Sequence, residues 1–199
     1  MNYLAHLFLS FRSEELLMGN FTGDFMSNKE VALLPGAYQN GVELHRLIDS
    51  FTDNHEEVKK CTSLLHPTQG KYAPVVIDIF FDYILYHQWD KYSKFSFPEF
   101  KTKSYQIIKT HLEVFPERAA KIALAMANGD FLESYTSIEG LTFTFHRLEK
   151  RLKFPSNLAF AVDDLKMHKS EFVKSFNVFF PELIAVTIDF FHEKNIQIH

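Results

Sequence analysis

The 199-residue sequence contains a single cysteine, Cys61. A disulfide framework and a zinc ribbon are therefore excluded, and a reducing compartment is the natural setting. Glycine and proline are scarce, with seven of each, too few for a linker-rich or collagen-like chain. Positive charge is in deficit: 21 Lys and Arg against 25 Asp and Glu leave −4. That argues against a nucleic-acid partner, which needs a broad basic face. Long apolar runs are missing as well. The opening MNYLAHLFLSF carries His6, has no basic leader and is too short to span a bilayer. No later segment reaches about 18 uncharged apolar residues. The expectation is a cytoplasmic protein with no membrane partner.

What the sequence does have is aromatic bulk and histidine. Its 22 Phe supply ample buryable area, and a chain of this length can bury a core without staples. Apolar residues recur at steps of three and four, as in Val42, Leu44, Leu47, Ile48 and Phe51, which is the helical period. Helix starts are marked by Ser13 before Glu14 and Glu15, by Asn54-His55-Glu56-Glu57, and by the capping box Ser96-Phe97-Pro98-Glu99. No hairpin signal and no internal repeat is present. The reading is all-α, a single-domain multi-helix bundle over 1–199. Helices are predicted at 2–20, 38–53, 55–66, 72–91, 98–112, 117–128, 130–136, 139–152, 156–180 and 182–193.

Groups with metal-ligand chemistry concentrate in the first ninety residues. His45, Asp49 and Asp53 are spaced i, i+4, i+8 among Leu44, Leu47, Ile48 and Phe51, so a helix carries them on roughly one face. Asp78 and Asp82 repeat the i, i+4 spacing within VVIDIFFDYIL. A lone carboxylate in such surroundings costs several kcal/mol unless it is neutralised, paired or bound to a metal. His6 lies in the apolar opening. Asp24 lies in GNFTGDF, where Gly19 and Gly23 are expected to turn the backbone tightly. Carboxylates mixed with imidazole favour Mn²⁺ or Mg²⁺ over a thiolate-type zinc site. The competing readings are structural: Asp53 as a helix cap, or the acids paired with Arg46 and Arg12. Later in the chain Arg147, Lys150, Arg151 and Lys153 surround Glu149, either a solvated helix face or a docking patch for an acidic partner. The Phe-rich stretch 172–191 is expected to pack the core.

The strings MNYLAHL, GNFTGDF (19–25), GVELHRLIDSFTDNH (41–55), DIFFDYIL with Trp89, IEGLTFTFHRLEKRL and FFPEL (179–183) resemble, in order, the acyl carrier protein phosphodiesterase family. The resemblance implies a helical fold distantly similar to the metal-dependent His-Asp phosphohydrolases. It implies hydrolysis of the phosphodiester joining 4′-phosphopantetheine to a serine of acyl carrier protein, with Mn²⁺ or Mg²⁺ as cofactor and the carrier protein as partner. The expected metal ligands are Asp24, His45, Asp49, Asp78 and Asp82. Protonation of the leaving oxygen is expected from His55 or His6, phosphate contact from Arg46, and carrier docking from Arg147, Lys150 and Arg151. The sequence departs from the family pattern at Phe8 and Tyr83, where histidine is frequent, and at Glu56, which replaces a frequent proline. Two alternatives remain at this level: a phosphohydrolase of nucleotides or other small esters, and a non-catalytic helical binding protein.

Overall fold

The computed structural model describes residues 1–11 and 13–196; Arg12 and His199 lie outside the described residues. Eleven α-helices are joined by short 3₁₀ turns, and no strand occurs among the described residues. The order is α1 (Tyr3–Ser10), α2 (Glu14–Phe21), α3 (Asn28–Val31), α4 (Gly36–Asn54), α5 (Glu56–Gln69), α6 (Ala73–His87), α7 (Trp89–Tyr92), α8 (Phe97–Thr110), α9 (Glu117–Asn128), α10 (Ile138–Glu149) and α11 (Ala161–Glu193). No helix among the described residues is long and apolar enough to cross a membrane.

The expected helix 2–20 is two helices. Ser13 adopts an extended conformation and its hydroxyl accepts from Leu16 N–H at 3.1 Å, so the cap starts a new helix instead of continuing the first. The expected break at Pro181 is absent. α11 runs through it and bends at His168 instead, because Phe172, Phe176, Phe179, Phe180 and Leu183 are all buried on either side of the proline. That burial rewards one straight apolar face, and it offsets the lost hydrogen bond. Phe80 packs against Phe145 and Phe172, and Phe81 against Phe176 and Phe179. α6 is thereby the central rod of the core.

Two features place the first helices. α2 and α4 cross at Gly19 and Gly41. A Cβ on Gly19 would stand 2.0 Å from Tyr38 O, and one on Gly41 2.3 Å from Leu16 O. The role of Gly19 is thus close helix approach within α2, not the tight turn expected of it. Gly41→Ala is expected to push the helices apart at a cost of about 2–3 kcal/mol, read as a fall in melting temperature of roughly 5–10 °C. The second feature is Asp82 on α6. It is fully buried, and its two carboxylate oxygens accept from the N–H groups of Leu4 at 2.7 Å and Ala5 at 3.3 Å. A carboxylate here satisfies free donors of the first turn of α1 and complements the helix dipole.

Candidate metal centre

The close crossing of α2 and α4 brings Asn20 against His45, and the anchoring of α1 on Asp82 brings His6 onto the same spot. The two imidazoles stack, with ring centroids 4.3 Å apart. Asn20, fully buried, holds both of them. Its side-chain oxygen takes the Nδ1–H of His6 at 2.7 Å, and its backbone oxygen takes the Nδ1–H of His45 at 2.9 Å. The amide nitrogen of Asn20 donates to His6 O at 3.0 Å, which fixes which end of the amide faces the ring. Both Nδ1 atoms therefore carry hydrogen, and both Nε2 atoms point the other way.

What they point at is carboxylate. Asp49 bridges the pair, Oδ1 lying 3.1 Å from His6 Nε2 and Oδ2 3.1 Å from His45 Nε2. Asp24 Oδ1 lies 3.2 Å from His45 Nε2. Gly23 lets the Asp24 turn rest on the imidazole, since a Cβ there would be 2.6 Å from His45 Cγ. Burial lowers the pKa of His6. For His45, burial pulls downward but the hydrogen bonds to Asp24 and Asp49 outweigh it and push the pKa up to about 9. Asp49 is held well below the usual carboxylate range, the two histidines overcoming its burial. Asp24 is lowered mainly by its hydrogen bond with His45.

Carboxylate oxygens cannot donate, so each Nε2–oxygen contact needs something positive between its partners. The choices are a second proton on the ring or a cation. One ring nitrogen of His6, one of His45 and one oxygen of Asp49 lie within 4.8 Å of one another, and it is the Nε2 atoms that face Asp49. Adjacent ligands on an ion with bonds of about 2.1 Å stand about 3.0 Å apart, close to the distances found. Ligating histidines commonly donate their other nitrogen to a carbonyl, as both rings do here. The residues present therefore fit a divalent cation.

The cluster opens into a cleft of about 370 Å³ bordered by Tyr3, Asp24, Asp53, Pro74 and Asp78. A larger groove of about 600 Å³ along α8, between Glu14, Glu99 and Lys103, has no such cluster. Asp78 lines the cleft, where it accepts the amino group of Met1 at 2.9 Å. Asp53 stands at the rim and is not the cap of α5. That position belongs to His55, whose Nδ1 accepts from Glu57 N–H at 3.2 Å.

The structure separates Asp82, His55 and Arg46 from this centre. Asp82 is spent on the N–H groups of α1 and does not line the cleft. His55 meets Glu182 of α11 at 3.2 Å beside a different cavity. Arg46, exposed, donates to Asn28 Oδ1 at 2.6 Å instead of pairing with Asp49. His6, expected as a proton carrier, has both ring nitrogens engaged within the cluster. Asn20 was not singled out by the sequence reading, although it stands inside GNFTGDF, the string that carries Asp24.

The model of the acyl carrier protein phosphodiesterase family matches residues 1–183. The chain belongs to this family. It is 27% identical over 185 residues to the acyl carrier protein phosphodiesterase of Photorhabdus laumondii, covering 92% of this chain and 93% of the relative. It is 26% identical over 190 residues to that of Serratia proteamaculans, covering 95% and 98%, and 27% over 187 residues to that of Klebsiella pneumoniae strain 342, covering 94% and 97%. No solved structure matches. For a member of the acyl carrier protein phosphodiesterase family, Phe8 and Tyr83 are the departures to place. Phe8 packs edge-on to Trp89 and against Phe180, and Tyr83 sits edge-on to His87. Neither lines the cleft.

Proposed function

We propose that this protein is a divalent-metal phosphodiesterase that releases 4′-phosphopantetheine from holo acyl carrier protein, leaving the apo carrier. Membership of the family supports the reaction. The observation that carries the metal is the pair of Asn20-anchored imidazoles whose Nε2 atoms converge with Asp49 and Asp24. Of the two partners that the ion-pair alternative named, Arg46 is bonded to Asn28, and Arg12 lies outside the described residues.

His6, His45, Asp49 and Asp24 would hold the ion, Mn²⁺ or Mg²⁺. Bound there, it supplies a water of lowered pKa and neutralises charge on the phosphate. Asn20 fixes the orientation of both rings before substrate arrives, which lowers the reorganisation needed at the transition state. Water adds to phosphorus in line with the serine oxygen, the phosphorus–serine bond breaks, and the serine oxygen takes a proton. Asp53 faces the cleft beside Asp78, where burial and then the charge of Asp78 raise its pKa, and its place there suits it to pass a proton to the leaving oxygen. It takes the role the sequence reading gave to His55 or His6.

The test is incubation of holo carrier protein with Mn²⁺ and mass measurement of the carrier, beside a panel of nucleotides. Loss of the phosphopantetheine arm, abolished by EDTA, is expected. Cleavage of nucleotides with the carrier untouched, or turnover indifferent to chelator, would overturn the reading.

Docking of the carrier belongs at the end of α10. Arg147, Lys150 and Arg151 are exposed, and Arg147 lies over the exposed ring of Phe143 at 5.6 Å. The charge of Arg151 bears on Tyr3, which lines the cleft. This basic edge suits an acidic carrier. Reversing Arg147 and Arg151 to Glu is expected to raise KM for the carrier at least about tenfold by lost steering and rim pairing. KM for a small phosphodiester should change far less; equal rises would remove the docking role.

A further inference from the structure

The metal cleft does not end at Asp53 and Asp78. A second cavity of about 300 Å³ runs on from it between α5 and α6, and Asp53, Pro74 and Asp78 line both. The two cavities adjoin at these three residues and are taken together as a trough. Its far half is floored by Val58 and Ile77 and walled by Thr62, Ser63 and His66 of α5. Lys59, its ammonium at the rim, is paired with Glu56 at 3.1 Å.

The two ends of the trough differ in their neighbours. Just beyond Asp24, outside the cleft lining, Arg118 donates to Phe25 O at 2.8 Å and Arg46 to Asn28 at 2.6 Å. The α5–α6 end offers hydroxyls, an imidazole and an apolar floor, and it is reached past the two carboxylates at the waist. Arg118 and Arg46 beside the first end offer charged partners to an acidic protein surface, and no arginine lines the second. A neutral chain bearing amides and methyl groups finds hydrogen-bonding partners and apolar contact at the second end.

We propose that the α5–α6 trough binds the neutral amide arm of the substrate while the carrier's body rests on the Arg118 and Arg46 side, so that the scissile phosphodiester lies across the His6–His45–Asp49 cluster. The proposal rests on the phosphodiesterase reading and adds the direction in which the substrate lies. The trough thereby becomes a specificity device: contacts remote from phosphorus contribute binding energy that a short ester cannot.

The experiment compares kcat/KM for two carriers, one with the full phosphopantetheine arm and one whose serine phosphate is esterified with propanol. Wild-type protein is expected to favour the full arm at least tenfold. Thr62→Trp, which fills the trough from α5, is expected to bring that ratio close to one. Ser63→Trp, at an exposed position, gives a second blocking variant if the first fails to fold. Thr102→Trp on α8, beside the separate groove, is expected to keep the wild-type ratio. A ratio unaltered in a folded blocking variant overturns the trough, including the case where both substrates slow equally because the carrier itself sits there. Wild-type protein that cleaves neither carrier overturns the phosphodiesterase reading and the trough with it.

Discussion

Replacing Asp49 with Asn is expected to lower turnover of holo carrier protein at least about a thousandfold, roughly 4 kcal/mol of transition-state stabilisation. Helical circular dichroism should stay unchanged. Among the described residues Asp49 is the one side chain that reaches both imidazoles, so its loss removes a ligand and the bridge between two others. Asn matches its shape, and the half-exposed position tolerates an amide. Bound Mn²⁺, measured after gel filtration, should fall in parallel. An Asp49→Asn protein with near-normal turnover would show that the cluster is not the reacting centre.

The second large effect is on stability. Asp82→Ala is expected to cost about 3 kcal/mol, because it strands the buried N–H groups of Leu4 and Ala5 and leaves a cavity. Turnover should fall with the folded fraction and not through metal loss alone. Stabilising conditions should therefore recover activity in Asp82→Ala and fail to do so in Asp49→Asn. The pH dependence follows from the same burial, which raises the pKa of Asp82 to about 7 despite the two N–H bonds. The unfolded chain releases this proton near pH 4 and the folded chain near pH 7. Between those values the folded state binds more protons, so stability falls as pH rises from about 4 to about 7 and levels beyond. The slope is at most about 1.4 kcal/mol per pH unit. Asp82→Asn should flatten this limb in denaturant titrations; an unchanged slope would mean that Asp82 is charged throughout.

Asp82 also shows where reading the sequence stops. Its spacing from Asp78 and its apolar neighbours demanded a partner, and that demand was sound. The partner is the first turn of α1, seventy-seven and seventy-eight positions earlier, and nothing in local spacing distinguishes backbone N–H groups from a metal. His55 is a similar case. Its place after SFTDN suggested chemistry, yet it caps α5 and meets Glu182. Tertiary contacts took both residues for the scaffold. Asp53 moved in the opposite direction, from an open choice between cap and stripe to the rim of the cleft.

The sequence by itself determined that the chain is helical, that its Phe-rich C-terminal stretch is core, that it resembles one family along nearly its whole length, and that His45 and Asp49 share a helix face. These follow from periodicity, burial and the i, i+4 geometry, all of which are local. Only the tertiary structure decided which acids join the centre. The decision turns on a helix crossing too tight for any side chain at Gly19 and Gly41, and on a buried asparagine that orients two rings from different helices. Both are facts of distance between segments far apart in the chain, and no period in the sequence records them.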